Sequence, residues 1–341
     1  MSNPTKNLSD TRFSVLDLVP ILDGKTPADS FRNTLDLARH VEDWGYTRYW
    51  MAEHHNMPGI ASSATSVLIG HIAGGTSTIR VGSGGIMLPN HAPLVVAEQF
   101  GTLETLYPGR IDLGLGRAPG TDQVTAMALR RDLRGSGEDF PENVAELQGY
   151  FSADNPSARV KAVPGQGLNV PIWLLGSSTF SAQLAGIRGL PFAFASHFAP
   201  SMLHSALEVY HDHFRPSKSL EKPYTMAGIN VVAADTDEEA QHLATSLYLS
   251  FLNVIRGKAK PMQAPVESME GHWDASEEYA VRQMLRYTFI GSQETVEKQL
   301  QAFVEATQVD EVMVAVNVYD HAARLHSYEL LSQLMGKQPA V

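Results

Sequence analysis

A closed barrel of eight parallel strands, each followed by a helix, is the architecture this sequence predicts, and three observations predict it. Short apolar runs alternate with helical patterns almost from the start of the chain. Eight such runs can be found. The chain has 341 residues, a length at which right-handed βα repetition commonly closes as one (β/α)8, or TIM, barrel. An open doubly wound sheet is the competing arrangement, because a strand count read from sequence shifts easily by one or two. No linker-like stretch splits the chain, so residues 1–341 read as a single α/β barrel domain. Insertions follow the fourth strand and precede the eighth.

Phe13–Pro20 reads as the first strand. Thr26-Pro27-Ala28-Asp29 then supplies a capping hydroxyl, a proline at the first helical position and an acid at the third. Phe31, Leu35, Ala38 and Val41 follow at helical spacing until Gly45 stops the helix. Arg48–Glu53 is the second strand, and Ala64–Gly75 is a helix rich in small residues. Ile79–Leu88 is the third strand; Pro93–Leu106 is its helix, with Phe100, Leu103 and Leu106 inward. Ile111–Arg117 is the fourth strand. Regularity lapses over residues 118–169, which hold charged, Gly/Pro-rich sequence and one helix near Glu142–Phe151. Strands resume at Ile172–Gly176, Pro191–Ala195 and Met226–Ala233, with helices between them. A second irregular stretch over 257–276 contains Pro261, Pro265 and Gly271. Glu311–Val316 is the last strand, followed by a helix from His321 to about Met335.

Hydrophobic residues make up 43% and charged residues 18%, which suits a globular chain with a large core. No apolar run approaches the roughly 18 residues of a membrane span. The polar stretch Met1–Asp10 lacks the apolar centre of a signal peptide. With no cysteine, disulfides, thiolate metal sites and cysteine nucleophiles are excluded, a pattern that fits a cytoplasmic protein. The net charge of −11, with no basic cluster to offset it, argues against nucleic-acid binding through the bulk field.

The densest chemistry lies in Tyr49-Trp50-Met51-Ala52-Glu53-His54-His55, where an apolar run stops at a carboxylate and two imidazoles with Pro58-Gly59 just behind. The carboxyl end of a buried strand is where α/β proteins present catalytic side chains. An imidazole accepts a proton near neutral pH, and a carboxylate can orient it. Adjacent strand residues point to opposite faces, however, so the two rings need not share a site. Two satisfied loop histidines are the plainer alternative. No metal site is expected, because such ligands come from separate elements and no other local spacing resembles one.

Three later strands also end in unusual sequence. Val81-Gly82-Ser83-Gly84-Gly85-Ile86-Met87-Leu88-Pro89 carries glycines that weaken a strand unless another group must approach its backbone, which suggests a flat ligand; a simple bulge is the alternative. Gly114, Gly116 and Gly120 run G-x-G-x-x-x-G, with Pro119 where a helix should open, so a dinucleotide fingerprint is rejected. Arg117 at that strand's end is a better phosphate ligand through its planar fork. Gly176-Ser177-Ser178-Thr179 precedes a helix and reads as an anion site or as an ordinary N-cap. With Arg117 on the neighbouring strand, phosphate becomes the favoured reading. His197, after the sixth strand, is a candidate at the mouth. His211 and His213 project to different helix faces and read as surface residues; His71 reads as a packing or interface residue.

In order and spacing, Glu53-His54-His55 after Tyr49-Trp50, Val81–Pro89, Pro108-Gly109-Arg110, Arg117 and Gly176-Ser177-Ser178 resemble the bacterial luciferase-like flavin monooxygenases over nearly the whole chain. The chain looks more like the bacterial members of unassigned substrate than like luciferase itself. The resemblance implies a barrel with reduced FMN at its C-terminal mouth. It implies that Gly176, Arg117 and the Ser177-Ser178-Thr179 turn hold the FMN phosphate. Gly84-Gly85 falls where the family places a non-prolyl cis peptide beside the isoalloxazine. His54 matches the family's catalytic imidazole, and Glu53, His55 and His197 are expected to line the site. A partner reductase would supply the reduced FMN, O2 would add at the flavin C4a as a peroxide, and His54 would act as general acid or base in transfer to an organic substrate. The family further implies a mobile lid near 257–276 and a homodimer through the second and third helices, where Gly70, Ala73 and Gly74 permit close approach. One departure is Ser177, where luciferase has an acid before the phosphate-binding serine. The deazaflavin F420 would instead give hydride transfer without O2, and the Glu-His-His group favours FMN over it. A non-catalytic flavin-binding protein on a degenerate barrel is disfavoured by His54 and the full strand set.

Overall fold

The strand runs are almost continuously apolar because both of their faces are covered, as expected for a parallel sheet wrapped by helices. A computed structural model describes residues 6–118, 120–129, 138–154 and 158–335. Pro119 and parts of the 118–169 insertion lie outside the described residues. The first half runs β1 (Arg12–Asp17), α1 (Pro27–Asp43), β2 (Arg48–Met51), α2 (Thr65–Gly75), β3 (Arg80–Met87), α3 (Pro93–Leu106), β4 (Ile111–Gly116), α4 (Gln123–Leu129) and α5 (Phe140–Phe151). The second runs β5 (Ile172–Gly176), α6 (Thr179–Arg188), β6 (Phe192–Phe194), α7 (Leu203–His213), β7 (Thr225–Ala234), α8 (Asp237–Ile255), α9 (Ala275–Met284), β8 (Thr288–Ser292), α10 (Gln293–Thr307), β9 (Glu311–Ala315) and α11 (His321–Ser332).

Parallel pairing joins β1 through β7 in sequence, then β7 to β9 and β9 back to β1, which closes an eight-stranded barrel. The (β/α)8 expectation is therefore met. The sequence pattern assigned no element between residues 277 and 310, and β8 is the strand it missed. It pairs only with Asn230–Ala234, the outer end of β7, while Met226–Asn230 pair with β9. β8 is thus a ninth strand outside the closure, short and ended by Gly291 and Ser292, so it carries little apolar periodicity.

Local rules account for the helices that frame the mouth. Thr26 and Asp29 form a reciprocal capping box at the start of α1, with Thr26 N donating to Asp29 Oδ2 at 2.8 Å. In α3 the inward stripe is Val96, Ala97, Phe100, Leu103 and then Tyr107. Leu106, expected inward, is 62% exposed because that stripe continues at 107. The small residues of α2 are already used within the chain. A Cβ at Gly70 would lie 3.3 Å from Leu103, and one at Gly74 would lie 2.9 Å from the Tyr107 hydroxyl.

The barrel is plugged below the site. Arg48 bridges Asp112 and Glu311 at 2.7 Å each, Arg80 meets Asp112 at 2.6 Å, and Trp50 Nε1 donates to Asp112 at 3.1 Å. Buried charges persist where every partner is supplied. Above them Leu16, Trp50, Trp173, Met226 and Met313 form an apolar layer, with the Arg48 guanidinium 4.8 Å from the Trp173 ring. The interior is filled at the amino end by these residues, and the open space lies at the carboxyl end.

Candidate active site at the carboxyl end of the barrel

A cavity of about 420 Å³ lies at that end. Leu16, Trp50, Met226 and Met313 form its floor, and the carboxyl ends of the strands form its walls. Its roof comes from Leu247, Phe251 and Val254 of α8, from Met284, and from residues 259–262. That last segment is tied down: Met262 N donates to Ile21 O at 2.8 Å, and Asp23 N to Met262 O at 2.8 Å. Gly59 is glycine because a Cβ there would overlap the Lys260 carbonyl. Of the expected lid stretch over 257–276, Ala259, Lys260 and Met262 line the cavity.

The alternation of side chains along β2 divides Glu53-His54-His55 between two sides of the wall. His54 lines the cavity, while Glu53 and His55 are not among its lining residues. Glu53 is 1% exposed and accepts from His55 Nε2 at 2.8 Å, His91 Nε2 at 2.9 Å, Asn90 Nδ2 at 3.1 Å and Met87 N at 2.9 Å. Burial pushes its carboxyl up, but hydrogen bonds from His91 and His55 outweigh this and hold it below the usual carboxylate range. The carboxylate thus orients His55 and His91, not His54. His91 escaped the sequence reading; its only signal was its place just after Leu88-Pro89-Asn90. Burial also lowers the His54 value below that of an ordinary histidine, against the pull of Glu53. His54 Nδ1 is buried without a hydrogen-bond partner.

On β3 the peptide Gly84–Gly85 is cis, and the β3–β4 register shifts between Ser83 and Ile86. Both glycines line the cavity. A Cβ at Gly85 would stand 2.7 Å from the Gly114 carbonyl, and one at Gly84 would stand 2.9 Å from Leu16 Cδ1. The bulge and the bare backbone face are therefore one feature, built by close approach of neighbours. Next along the wall, Arg117 is exposed and stacks its guanidinium 4.2 Å over the Phe180 ring of α6. No carboxylate of the described residues forms an ion pair with it. Gly176, Ser177 and Ser178 also line the cavity, whereas Thr179 does not. Ser178 is the N-cap of α6 but makes no side-chain capping bond. The first-turn amides of α6 consequently keep their donor capacity.

His197, just after β6, lines the same cavity, and its Nδ1 is likewise buried without a partner. Burial, and secondarily the nearby His54, push its value down to about 4. Asn230 and Asn317 also line the cavity. The sequence reading missed both, although an asparagine inside the apolar run Met226–Ala233 was a visible signal. His71 and His211 are exposed, and His71, His211 and His213 are not among the lining residues. Among the described residues no cluster of three or more His, Asp or Glu could hold a metal ion, and no helix is long and apolar enough to cross a membrane.

This fold is that of one family. The chain belongs to the luciferase-like monooxygenases, whose family description matches residues 11–311. It is 55% identical to an Escherichia coli (strain K12) protein described as a luciferase-like monooxygenase, over 93% of this chain and 95% of that one. It is 34% identical to the N-acetyl-S-alkylcysteine monooxygenase of Bacillus subtilis (strain 168), over 94% and 97% of the two chains. The crystal structure of apo-MsnO8 superposes with a TM-score of 0.89 at 34% identity, covering 95% of this chain and 98% of that one. More distant structures share the fold, including the oxygenating constituent of 3,6-diketocamphane monooxygenase in complex with FMN (19% identity, TM-score 0.71) and an F420-dependent secondary alcohol dehydrogenase (15%, 0.71).

Proposed function

We propose that this protein is a monooxygenase that binds reduced FMN at the carboxyl mouth of its barrel and transfers one oxygen atom from O2 to a small organic substrate. The observation that carries this reading is a juxtaposition within one cavity. A bare glycine face, an arginine without a carboxylate partner beside an open helix N-terminus, and two imidazoles with buried, unpartnered nitrogens all line it. The description of the E. coli relative and the name of the B. subtilis relative agree with it.

The residues present fit FMN. Gly84 and Gly85 offer backbone without side chains, against which a planar ring can lie. Arg117, Ser177, Ser178 and the first amides of α6 would hold its phosphate, favoured by the helix dipole and the guanidinium fork. When bound, reduced FMN supplies the electrons and the centre that reacts with O2. The chain's own residues do the rest. The α8 roof and residues 259, 260 and 262 cover one side of the cavity and would limit the access of water to the reacting centre. His54, kept neutral at pH 7 by burial, accepts or returns a proton at its ring nitrogen during oxygen transfer. Glu53 acts at one remove: its side chain takes the Met87 amide and its own amide donates to Gly85 O at 3.2 Å, which fixes the end of β3.

A separate flavin reductase would deliver the reduced cofactor. A homodimer would use the outer faces of α2 and α3, where Val67 is 70% and Val95 44% exposed. The test of the function is turnover under isotopically heavy O2 with reduced FMN continuously regenerated and a panel of small organic compounds. One heavy oxygen atom in the product is expected. Product formed without heavy oxygen, or turnover only with F420 and no O2, would overturn the reading.

A further inference from the structure

The cavity has two unlike halves. The order of strands around the barrel, β1-β2-β3-β4-β5-β6-β7-β9, sets β7 opposite β3 and β6 opposite β2. The glycine face belongs to β3. Across from it, His197 after β6, Asn230 on β7 and Asn317 after β9 put three neutral polar side chains into the lining. The charged lining residues sit elsewhere: Arg117 follows β4, and Lys260 belongs to the roof.

The three polar residues are built as a unit. Asn230 Nδ2 donates to the His197 carbonyl at 2.6 Å and to Thr288 Oγ1 at 3.3 Å, and Asn317 Nδ2 reaches Asn230 Oδ1 at 3.5 Å. Asn230 and Asn317 are buried, at 1% and 8% exposure. The His197 ring meets Phe198 edge-on at 4.9 Å and lies against β7 at Gly228, where a Cβ would overlap its Nδ1. Gly228 has no positive φ, so the chain path does not require glycine there; the imidazole does.

We propose that this patch recognises the organic substrate through a neutral hydrogen-bonding function, a carbonyl, amide or hydroxyl, on an otherwise apolar molecule, with His197 in direct contact with it. The inference rests on the FMN reading only for which half of the cavity is left to the substrate. His197 stays uncharged at neutral pH because burial and the neighbouring His54 disfavour its protonation. Neutral donors and acceptors in a dry pocket do not compensate a carboxylate for its lost water, whereas they replace the hydrogen bonds of a ketone or alcohol. A hydrocarbon of the same shape leaves them unpaired.

The test uses FMN-loaded protein and three probes: acetophenone, α-methylstyrene, which replaces C=O by C=CH2 at nearly constant shape, and benzoate. Dissociation constants come from ligand-observed NMR titration. Acetophenone is expected to bind about fivefold more tightly than α-methylstyrene, the ratio one net hydrogen bond of about 1 kcal/mol gives, and more tightly than benzoate. His197→Phe is expected to erase that preference with FMN affinity unchanged within about twofold. Gly228→Ala keeps the histidine but displaces its ring, and is expected to do the same. Equal affinities in the wild type, tightest binding of benzoate, binding of no probe, or a preference that survives both substitutions would overturn the proposal. Failure of FMN to bind would sink the function proposed above, while a His197-dependent preference in the FMN-free protein would still uphold this one.

Discussion

Glu53→Gln isolates the carboxylate that ties the end of β2 to the end of β3. The wild-type side chain is 1% exposed and accepts from His55, His91, Asn90 and the Met87 amide at 2.8 to 3.1 Å. A carboxylate only accepts; an amide of the same shape must turn a donor toward at least one of these donors. Hydrogen bonds to a buried charge contribute about 1.5–3 kcal/mol each, and a stranded buried donor costs about 1–3 kcal/mol. A loss of roughly 2–4 kcal/mol at pH 7 follows. The pH dependence has a definite sign. Because the folded pKa lies below the ordinary value, the carboxylate's contribution is fully present above the unfolded value of about 4.3 and lost as pH falls through the folded one. Urea unfolding of both proteins between pH 7 and about pH 3 should give a constant gap near neutrality that narrows once the pH falls below about 4.3. A gap below about 0.5 kcal/mol at pH 7, or one that widens in acid, would refute this account of Glu53.

Three further outcomes follow from the same geometry. Arg117→Ala should weaken FMN binding roughly 10- to 100-fold at unchanged stability, since the side chain is exposed, and Arg117→Lys should restore only part because the fork and the Phe180 stack are lost. Gly85→Ala places a Cβ 2.7 Å from the Gly114 carbonyl, backbone that cannot swing aside; a loss of about 1–3 kcal/mol in chemical unfolding together with weaker FMN binding is expected. His54→Ala should keep FMN affinity and lose turnover, and in the wild type the acid limb of the rate should fall below the ordinary histidine value of about 6.5, because burial holds His54 neutral to lower pH.

Much of this was legible in the chain because each barrel strand is an apolar run bounded by punctuation. Pro93–Leu106 was placed to the residue, and the Thr26 cap announced α1. The region from Asp237 to Thr307 was harder. α8 and α9 pack as a layer over the mouth, and β8 adds to the outer half of β7 only, so tertiary contact rather than local period defines them. The same division holds in the site. Residues at strand ends, His54, Gly84, Gly85, Arg117, Ser177, Ser178 and His197, could be named from sequence and do line one cavity. Side-chain direction was only partly legible: Glu53 and His55 turn behind the wall, and Thr179 is not among the cavity-lining residues. His91, Asn230 and Asn317 depend on elements far apart in the chain meeting at the barrel mouth, and a single sequence does not encode that meeting in any short motif.

The proposed function requires that the barrel mouth bind FMN in its reduced form. Anaerobic titration of the protein with reduced FMN, followed by competition with F420, tests it most directly. Saturation at one FMN per chain, with F420 unable to displace it, is the expected result. Absence of saturable FMN binding, or displacement by F420, would show that the mouth is not an FMN site.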